Sequence, residues 1–389
     1  MKYDWDTPVN RLGTDCFKWD WNHRDGDLPM WVADMDFKAA PAITDYIKKR
    51  AEHGVFGYTM VPDSWYDAYI NWWRDRHGYE MEKEWIMYVS GVIPAISSTI
   101  RALTVPCKKV VVQTPVYNAF FKCITNNGCS VVENKLIYEN GTYSMDLDDL
   151  ESKLSDPDTD ILILCNPQNP SGMIWDKETL VKVGEICARN NVTVISDEIH
   201  CDITKPGTSY VPFASASEVN RDITVMVIAA TKAFNIAGIN SACVSVANKE
   251  LNKKIRFALD RDEVCHYSVF SGVAAVAFSE CKDWLDEMRE YIDTNKEYAS
   301  DFIEKELPEL HLVNGDATYL IWLDISPLGT TSKKLANHLR DKTGLFVTPG
   351  SQYGKGGEGF LRINIGCPRS VLEDGLARLK KGIRSFTTE

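Results

Sequence analysis

The stretch Val225-Met226-Val227-Ile228-Ala229-Ala230-Thr231-Lys232-Ala233-Phe234-Asn235 decides how the chain is read. Its first four residues are apolar and mostly β-branched, the pattern of a strand buried on both faces of a parallel sheet. Open α/β sheets bind their ligands just beyond the carboxyl ends of the strands. Lys232 follows such an end, where an amine can attack a carbonyl. Taken alone, a lysine in this position is more often a solvated surface charge.

Two further strand ends change that weighting. The run Ile161-Leu162-Ile163-Leu164 leads into Cys165-Asn166-Pro167-Gln168-Asn169-Pro170-Ser171-Gly172. Its two prolines and glycine stop the strand, force a turn and present the Asn169 amide. The run Val192-Thr193-Val194-Ile195-Ser196 ends in Asp197, a carboxylate that is costly to bury without a cation or donors. The three ends therefore offer an amide, a carboxylate and an amine. Pyridoxal phosphate requires such a set: the amine forms an imine with its aldehyde, the carboxylate keeps its ring nitrogen protonated, and the amide donates to its phenolic oxygen.

Strand-like runs at 110–112, 161–164, 192–195 and 224–228 are separated by segments long enough for crossover helices. Asp176 can cap a helix whose Leu180, Val183, Ile186 and Cys187 share a face before Asn190-Asn191 ends it, which predicts βαβ architecture. The C-terminal part differs. Residues 280–306 are highly charged with helical spacing, 318–324 read as a strand, and Ser370 with Glu373 reads as a capping box for a last helix. This pattern predicts an α/β fold with a second, smaller α+β domain. The glycine string Gly354-Lys355-Gly356-Gly357-Glu358-Gly359 precedes a strand-like segment and not a helix, so it is read as a loop and not as a dinucleotide site.

The 389 residues carry a formal charge of -12, which disfavours a nucleic-acid surface or an acidic membrane. No apolar run approaches the roughly 18 residues of a membrane helix, and the first residues are too acidic for a signal peptide, so a cytoplasmic location is expected. The eleven cysteines form no Cys-x-x-Cys pair and the seven histidines no ligand spacing, so free thiols and no metal site are expected.

The chain also resembles the fold type I, aspartate-aminotransferase-like enzymes of pyridoxal phosphate over nearly its whole length, and within them the MalY/PatB-type cystathionine β-lyases (C-S lyases). The residues that carry the likeness include Leu28-Pro29-Met30-Trp31-Val32-Ala33-Asp34-Met35-Asp36-Phe37, Gly54-Val55-Phe56-Gly57-Tyr58, Ser90-Gly91-Val92-Ile93-Pro94-Ala95 and Thr114-Pro115-Val116-Tyr117. Further on they include Asp197-Glu198-Ile199-His200, Thr231-Lys232-Ala233-Phe234-Asn235, Thr318-Tyr319-Leu320-Ile321-Trp322-Leu323-Asp324 and Gly359-Phe360-Leu361-Arg362-Ile363-Asn364. The resemblance implies a large cofactor-binding domain at 46–280, built on a mostly parallel seven-stranded sheet, a small domain at 281–389, and a segment 1–45 packing with the small domain.

It also implies roles. Lys232 becomes the catalytic residue and cofactor anchor, with Asp197 and Asn169 on the ring and Tyr117 stacking on it. The amides of Val92 and Ile93, at a helix N-terminus, face the phosphate together with Thr231. Arg362 grips the substrate carboxylate through two parallel hydrogen bonds, and Ala33 lies beside the substrate. Tyr58 reaches the phosphate of a neighbouring subunit, which implies a homodimer. His200 stands where many aminotransferases have a tyrosine, and Asn240 where they have an arginine, so His200 is either a ring ligand or a packed histidine. The implied reaction is α,β-elimination from cystathionine, L-cysteine or another S-conjugate to thiol, pyruvate and ammonia. An aminotransferase using a 2-oxo acid and a cofactor-bound regulatory protein are the alternatives.

Overall fold

Uninterrupted apolar segments dominate the middle of the chain, and the computed structural model, which describes residues 2–388, joins them into one sheet. The seven strands are β1 (Ile86–Val89), β2 (Lys109–Thr114), β3 (Ser130–Lys135), β4 (Thr159–Cys165), β5 (Thr193–Asp197), β6 (Thr224–Ile228) and β7 (Ala242–Ser245). Their order is β1-β7-β6-β5-β4-β2-β3. Only β7 runs against its neighbours. Every residue of β6 is buried, as expected for a strand covered on both faces. One face packs Val110, Ile163, Ile195, Val225 and Val227 under the helices Val92–Leu103 and Lys249–Arg261. The other packs Leu162, Leu164 and Val194 against the helix Lys177–Arg189, which Asp176 caps by accepting from the Thr179 amide at 2.8 Å.

A four-stranded antiparallel sheet forms the second unit, from β8 (His311–Leu312), β9 (Leu320–Asp324), β10 (Thr348–Pro349) and β11 (Phe360–Asn364), in the order β8-β9-β11-β10. Its own core includes Ile321, Leu361, Leu339, Leu376 and Ile383. The last helix spans Arg369–Thr388, so Ser370 lies inside its first turn and is not its cap; the expected capping box is replaced by the amides of Val371 and Leu372 bonding the Pro368 carbonyl. The helix Lys282–Glu306 buries Trp284, Leu285 and Met288 against the aromatic core around Trp65 and Trp72, and Ala299 and Ile303 against the small-sheet core. It thus belongs to both units.

The N-terminal segment is threaded between these bodies by backbone capture. Leu28 and Pro29 pair in parallel with Leu345 and Phe346. Farther along, Asn235 accepts from the Met35 amide (3.0 Å) and donates to the Met35 and Phe37 carbonyls (2.9 and 2.7 Å), while Asn364 donates to the Val32 and Asp34 carbonyls, both at 2.5 Å. One amide from the large sheet's edge and one from the small sheet therefore hold residues 32–37 between them. Arg11 and Lys18 neutralise Asp36 in the same segment at 2.7 and 2.6 Å. Asn235→Ala leaves several enclosed backbone groups unpaired, and we expect a loss of about 2 kcal/mol in denaturant unfolding together with faster limited proteolysis between residues 10 and 40.

Candidate active site

The sheet's hydrogen-bond register sets out the site. Cys165 pairs with Asp197, and Asp197 with Val227, so the ends of β4, β5 and β6 lie side by side. Beyond β4 the chain turns through Gln168, whose side chain accepts from the Ser171 amide at 2.9 Å, and this turn delivers Asn169. Gly172 has φ +74° and an added Cβ there would lie 2.7 Å from the Ala317 carbonyl, so the turn is pressed against the lead-in to β9. Beyond β6 a tight turn, in which the Ile236 amide bonds the Thr231 carbonyl at 3.0 Å, carries Lys232.

Lys232, Asp197 and Tyr117 stand between two connected hollows. The first, about 240 Å³, is floored by Gly91, Val92 and Ile93 and walled by Thr231, Asn240 and Ser241. The second, about 410 Å³, is lined by Ala33, Asn169, His200, Tyr353 and Arg362. The helix Val92–Leu103 begins at the floor of the first, with Gly91 as its N-cap. Its first amides have no carbonyl within the helix to bond and confront the hollow with partial positive charge. Lys232 is the only lysine or arginine among the residues lining that hollow.

The Lys232 Nζ donates to the Ala33 carbonyl at 2.7 Å, and the Tyr319 hydroxyl donates to the same oxygen at 2.9 Å. Although part of Lys232 opens into the cleft, enclosure by protein lowers its ammonium to about 8; Asp34 and Asp197 oppose the shift and Arg362 adds to it. Asp197 is buried, and burial pushes its carboxyl up to about 7 against the pull of the Ile199 amide and Lys232. His200 is buried with Nδ1 unpartnered, and burial, followed by the charges of Lys232 and Arg362, lowers it to about 3, so it is neutral. Arg362 is buried on β11, donates from Nη1 to the Asn169 Oδ1 at 3.1 Å and from Nη2 to the Trp31 carbonyl at 2.7 Å, and leaves Nε unpartnered.

The structure thus gathers Val92, Ile93, Tyr117, Asn169, Asp197, His200, Thr231, Lys232, Arg362 and Ala33 around one cleft. Tyr58 is not among them: it is fully exposed and lines neither hollow. Tyr319, Asn235 and Asn364, which set the Ala33 carbonyl in place, have no role assigned by sequence reasoning, because the contacts they make join segments about 200 to 330 residues apart. Glu198 alternates to the opposite side of the strand end and is buried there, accepting from Ser196 Oγ at 2.6 Å and from the Tyr210 hydroxyl. Among the described residues His77, Cys201 and Asp202 also cluster within 4.8 Å, but Asp202 Oδ1 is already engaged by Trp72, Arg76 and His77.

This donor set fits pyridoxal phosphate. A helix N-terminus faces a hollow of suitable size, a buried carboxylate can receive a cationic partner, and a lysine stands between them and a guanidinium and an imidazole that each keep one unpartnered nitrogen.

The profile of the aminotransferase class I and II family matches residues 32–379, and the chain belongs to that family. It is similar to cystathionine beta-lyase PatB of Bacillus subtilis, with 41% identity covering 98% of this chain and 100% of the relative. Protein MalY of Escherichia coli is 34% identical, covering 98% and 99% of the two chains. Among solved structures, cystalysin from Treponema denticola, which contains a pyridoxal 5'-phosphate cofactor, superimposes with a TM-score of 0.95 at 31% identity over 99% of this chain and 100% of its own. The PLP-bound C-S lyase from Staphylococcus hominis does so with a TM-score of 0.92 at 30% identity over 98% of each chain.

The raised carboxyl has a thermodynamic consequence for the cofactor-free protein. Its folded value of about 7 exceeds the ordinary 3.8, so the folded chain keeps this proton longer than the unfolded chain and stability falls as pH rises through that window. Asp197→Asn, neutral throughout, is expected to be more stable than the parent by roughly 2 to 4 kcal/mol above pH 7, with the gap closing toward pH 4. Denaturant unfolding of both proteins at pH 4.5 and pH 8 checks this.

Proposed function

We propose that the protein is a pyridoxal-phosphate-dependent carbon-sulfur β-lyase that removes a thiol from the β-carbon of cystathionine, L-cysteine or a related S-conjugate, leaving pyruvate and ammonia. The observation that carries this reading is the convergence of Lys232, Asp197, Asn169 and Arg362 on one cleft above a helix N-terminus. Val92, Ile93 and Thr231 would hold the phosphate, Tyr117 the ring face, Asn169 and His200 its oxygen, and Asp197 its nitrogen. Pyridoxal phosphate supplies an aldehyde that captures amines and a ring that takes up electrons from the substrate Cα.

The chain's own residues supply the rest. Arg362 offers its planar fork to the substrate α-carboxylate, exchanging its contacts with Asn169 and the Trp31 carbonyl for a charge-assisted pair. An amine lowered to about 8 spends an appreciable fraction of time neutral near physiological pH, which suits Lys232 to take the Cα proton. The Ala33 carbonyl accepts from the lysine after that transfer and keeps it beside the reacting atoms. The same proton is then available to the departing sulfur. Neutral His200 adds no charge that would oppose the lysine's cycle.

A homodimer is part of the proposal. Val55, Phe56, Tyr58 and Met60 form a short run of exposed apolar or aromatic side chains, and such exposure marks an association surface. Tyr58 would reach the neighbouring subunit's phosphate from it. The division into residues 1–45, 46–280 and 281–389 belongs to the same reading, supported by the separate core of the small sheet. Eleven unpaired cysteines, eight of them buried, fit the reducing conditions of a cytoplasm.

Incubation with pyridoxal phosphate and L-cystathionine tests the reaction: stoichiometric thiol and pyruvate are expected, whereas a product that forms only with added 2-oxo acid would reassign the chain to transamination. Borohydride reduction of the loaded protein should leave a pyridoxyl adduct on the peptide containing Lys232, absent in Lys232→Ala along with turnover. Arg362→Ala is expected to raise KM about ten- to hundredfold. In sedimentation, Phe56→Asp combined with Met60→Asp should convert a dimer to monomer with loss of cofactor affinity.

A further inference from the structure

We propose that a hollow outside the cleft, bounded by the helix Asp63–His77, the start of the helix Lys282–Glu306 and the loop of residues 201–210, binds a small organic anion that carries two or more carboxylates. The hollow measures about 800 Å³ and shares no lining residue with either hollow of the cleft. That volume suits a small-molecule ligand. Ala68, Asn71, Trp72, Asp75 and Arg76 line it at helical spacing, so one face of the first helix looks onto it.

Its charge is lopsided. Arg76, Lys282 and Arg289 converge on a single carboxylate: Asp286 accepts through Oδ1 from Arg76 Nη2 at 2.9 Å and Arg289 Nη1 at 3.2 Å, and through Oδ2 from Lys282 Nζ at 2.7 Å. Arg76 Nε also lies 3.2 Å from Oδ1 of the buried Asp202, but that oxygen is shared with Trp72 and His77. Three cations thus share two carboxylates, in a chain whose formal charge is -12. Burial, followed by the charge of Arg76, lowers the Arg289 guanidinium. Asp75, the only carboxylate lining the hollow, is turned to Arg74 at 2.8 Å. Arg76 Nη1 makes no hydrogen bond among the described residues, and an incoming anion relieves the repulsion between the crowded cations.

The remaining walls define the ligand further. Thr208, Ser209 and Ser279 offer hydroxyls, while Ala68, Trp72 and Phe278 form an apolar side on which the two rings lie 5.1 Å apart. An inorganic anion leaves that side and most of the volume unused, whereas a carbon skeleton covers it. One carboxylate of such a ligand can bridge Arg76 and Lys282 as Asp286 does, and a second can take the hydroxyls of Thr208 and Ser209. A metal ion is the poorer occupant. His77, Cys201 and Asp202 cluster within 4.8 Å, but the Arg76 guanidinium stands against the same Asp202 oxygen, and burial holds the Cys201 thiol well above its usual range.

Calorimetric titration of citrate into the pyridoxal-phosphate-loaded protein, with ionic strength held constant by sodium chloride, tests the site. One saturable site per chain with a Kd below about 1 mM is expected, with no change in the cofactor's visible absorbance. Lys282→Glu and Asn71→Asp, both substitutions of exposed residues, should each weaken binding about tenfold or more, and Arg362→Ala should leave citrate affinity as it is. Arg76→Gln should abolish binding; because it also strips a partner from Asp202, the two exposed substitutions decide the matter if it does not fold. No saturation up to about 20 mM citrate, or parental affinity in Lys282→Glu, overturns the proposal. So does binding that shifts the absorbance and vanishes in Arg362→Ala, since citrate would then occupy the cleft. Equal binding of sulfate at matched ionic strength identifies unspecific charge attraction and overturns it as well. None of these outcomes depends on which reaction the loaded protein catalyses.

Discussion

A carboxylate sealed at the end of a central strand is the constraint on which this molecule turns. Asp197 cannot move without breaking the pairing of β5 with β4 and β6, and it cannot ionise cheaply without a cation. In the proposed function a protonated ring nitrogen would answer that need, and the helix N-terminus at Val92 would answer the opposite need of a phosphate. The cleft is therefore an electrostatic template with two poles of opposite sign, and the amine of Lys232 stands between them.

The second organising element is the segment of residues 31–37. Its carbonyls are claimed in turn by Arg362, Asn364, Lys232 and Asn235, which stand on different elements of the large and small units. Peptide groups of a single strap thus link the position of the small sheet to that of Lys232. Tyr319, at the entrance to β9, completes this link by sharing the Ala33 oxygen. Such an arrangement makes the geometry of the amine depend on how the two units meet.

Much of this was legible in the sequence. The strand ends carrying Asn169, Asp197 and Lys232 announce themselves because buried parallel strands are continuous apolar runs, and polar residues after them have few places to go. Likeness to known enzymes was needed for Arg362, Ala33 and the amides of Val92 and Ile93, since nothing local distinguishes them from ordinary strand and helix residues. Tyr319, Asn235 and Asn364 escaped because their value lies in accepting and donating across hundreds of residues. The capping box at Ser370 misled for a related reason: the spacing was right, but Pro368 offered its carbonyl first and the helix began earlier.

The alternation at the end of β5 has a further implication. Asp197 and Glu198 are adjacent acids, one turned toward the cleft and the other locked behind it by Ser196, Tyr210 and the Phe213 amide. Backbone bonds from Asn166 to the Asp197 carbonyl and from Glu198 to the Val227 carbonyl, both 3.0 Å, act as a ruler that decides which acid faces which way. A slip of a single notch along that ruler would swap a short carboxylate for a longer one and carry the tyrosine-bound acid into the cleft. Accuracy in the middle of the sheet is thus a matter of chemical identity at its rim, which gives evolution reason to keep these strands rigid even where no side chain touches a ligand.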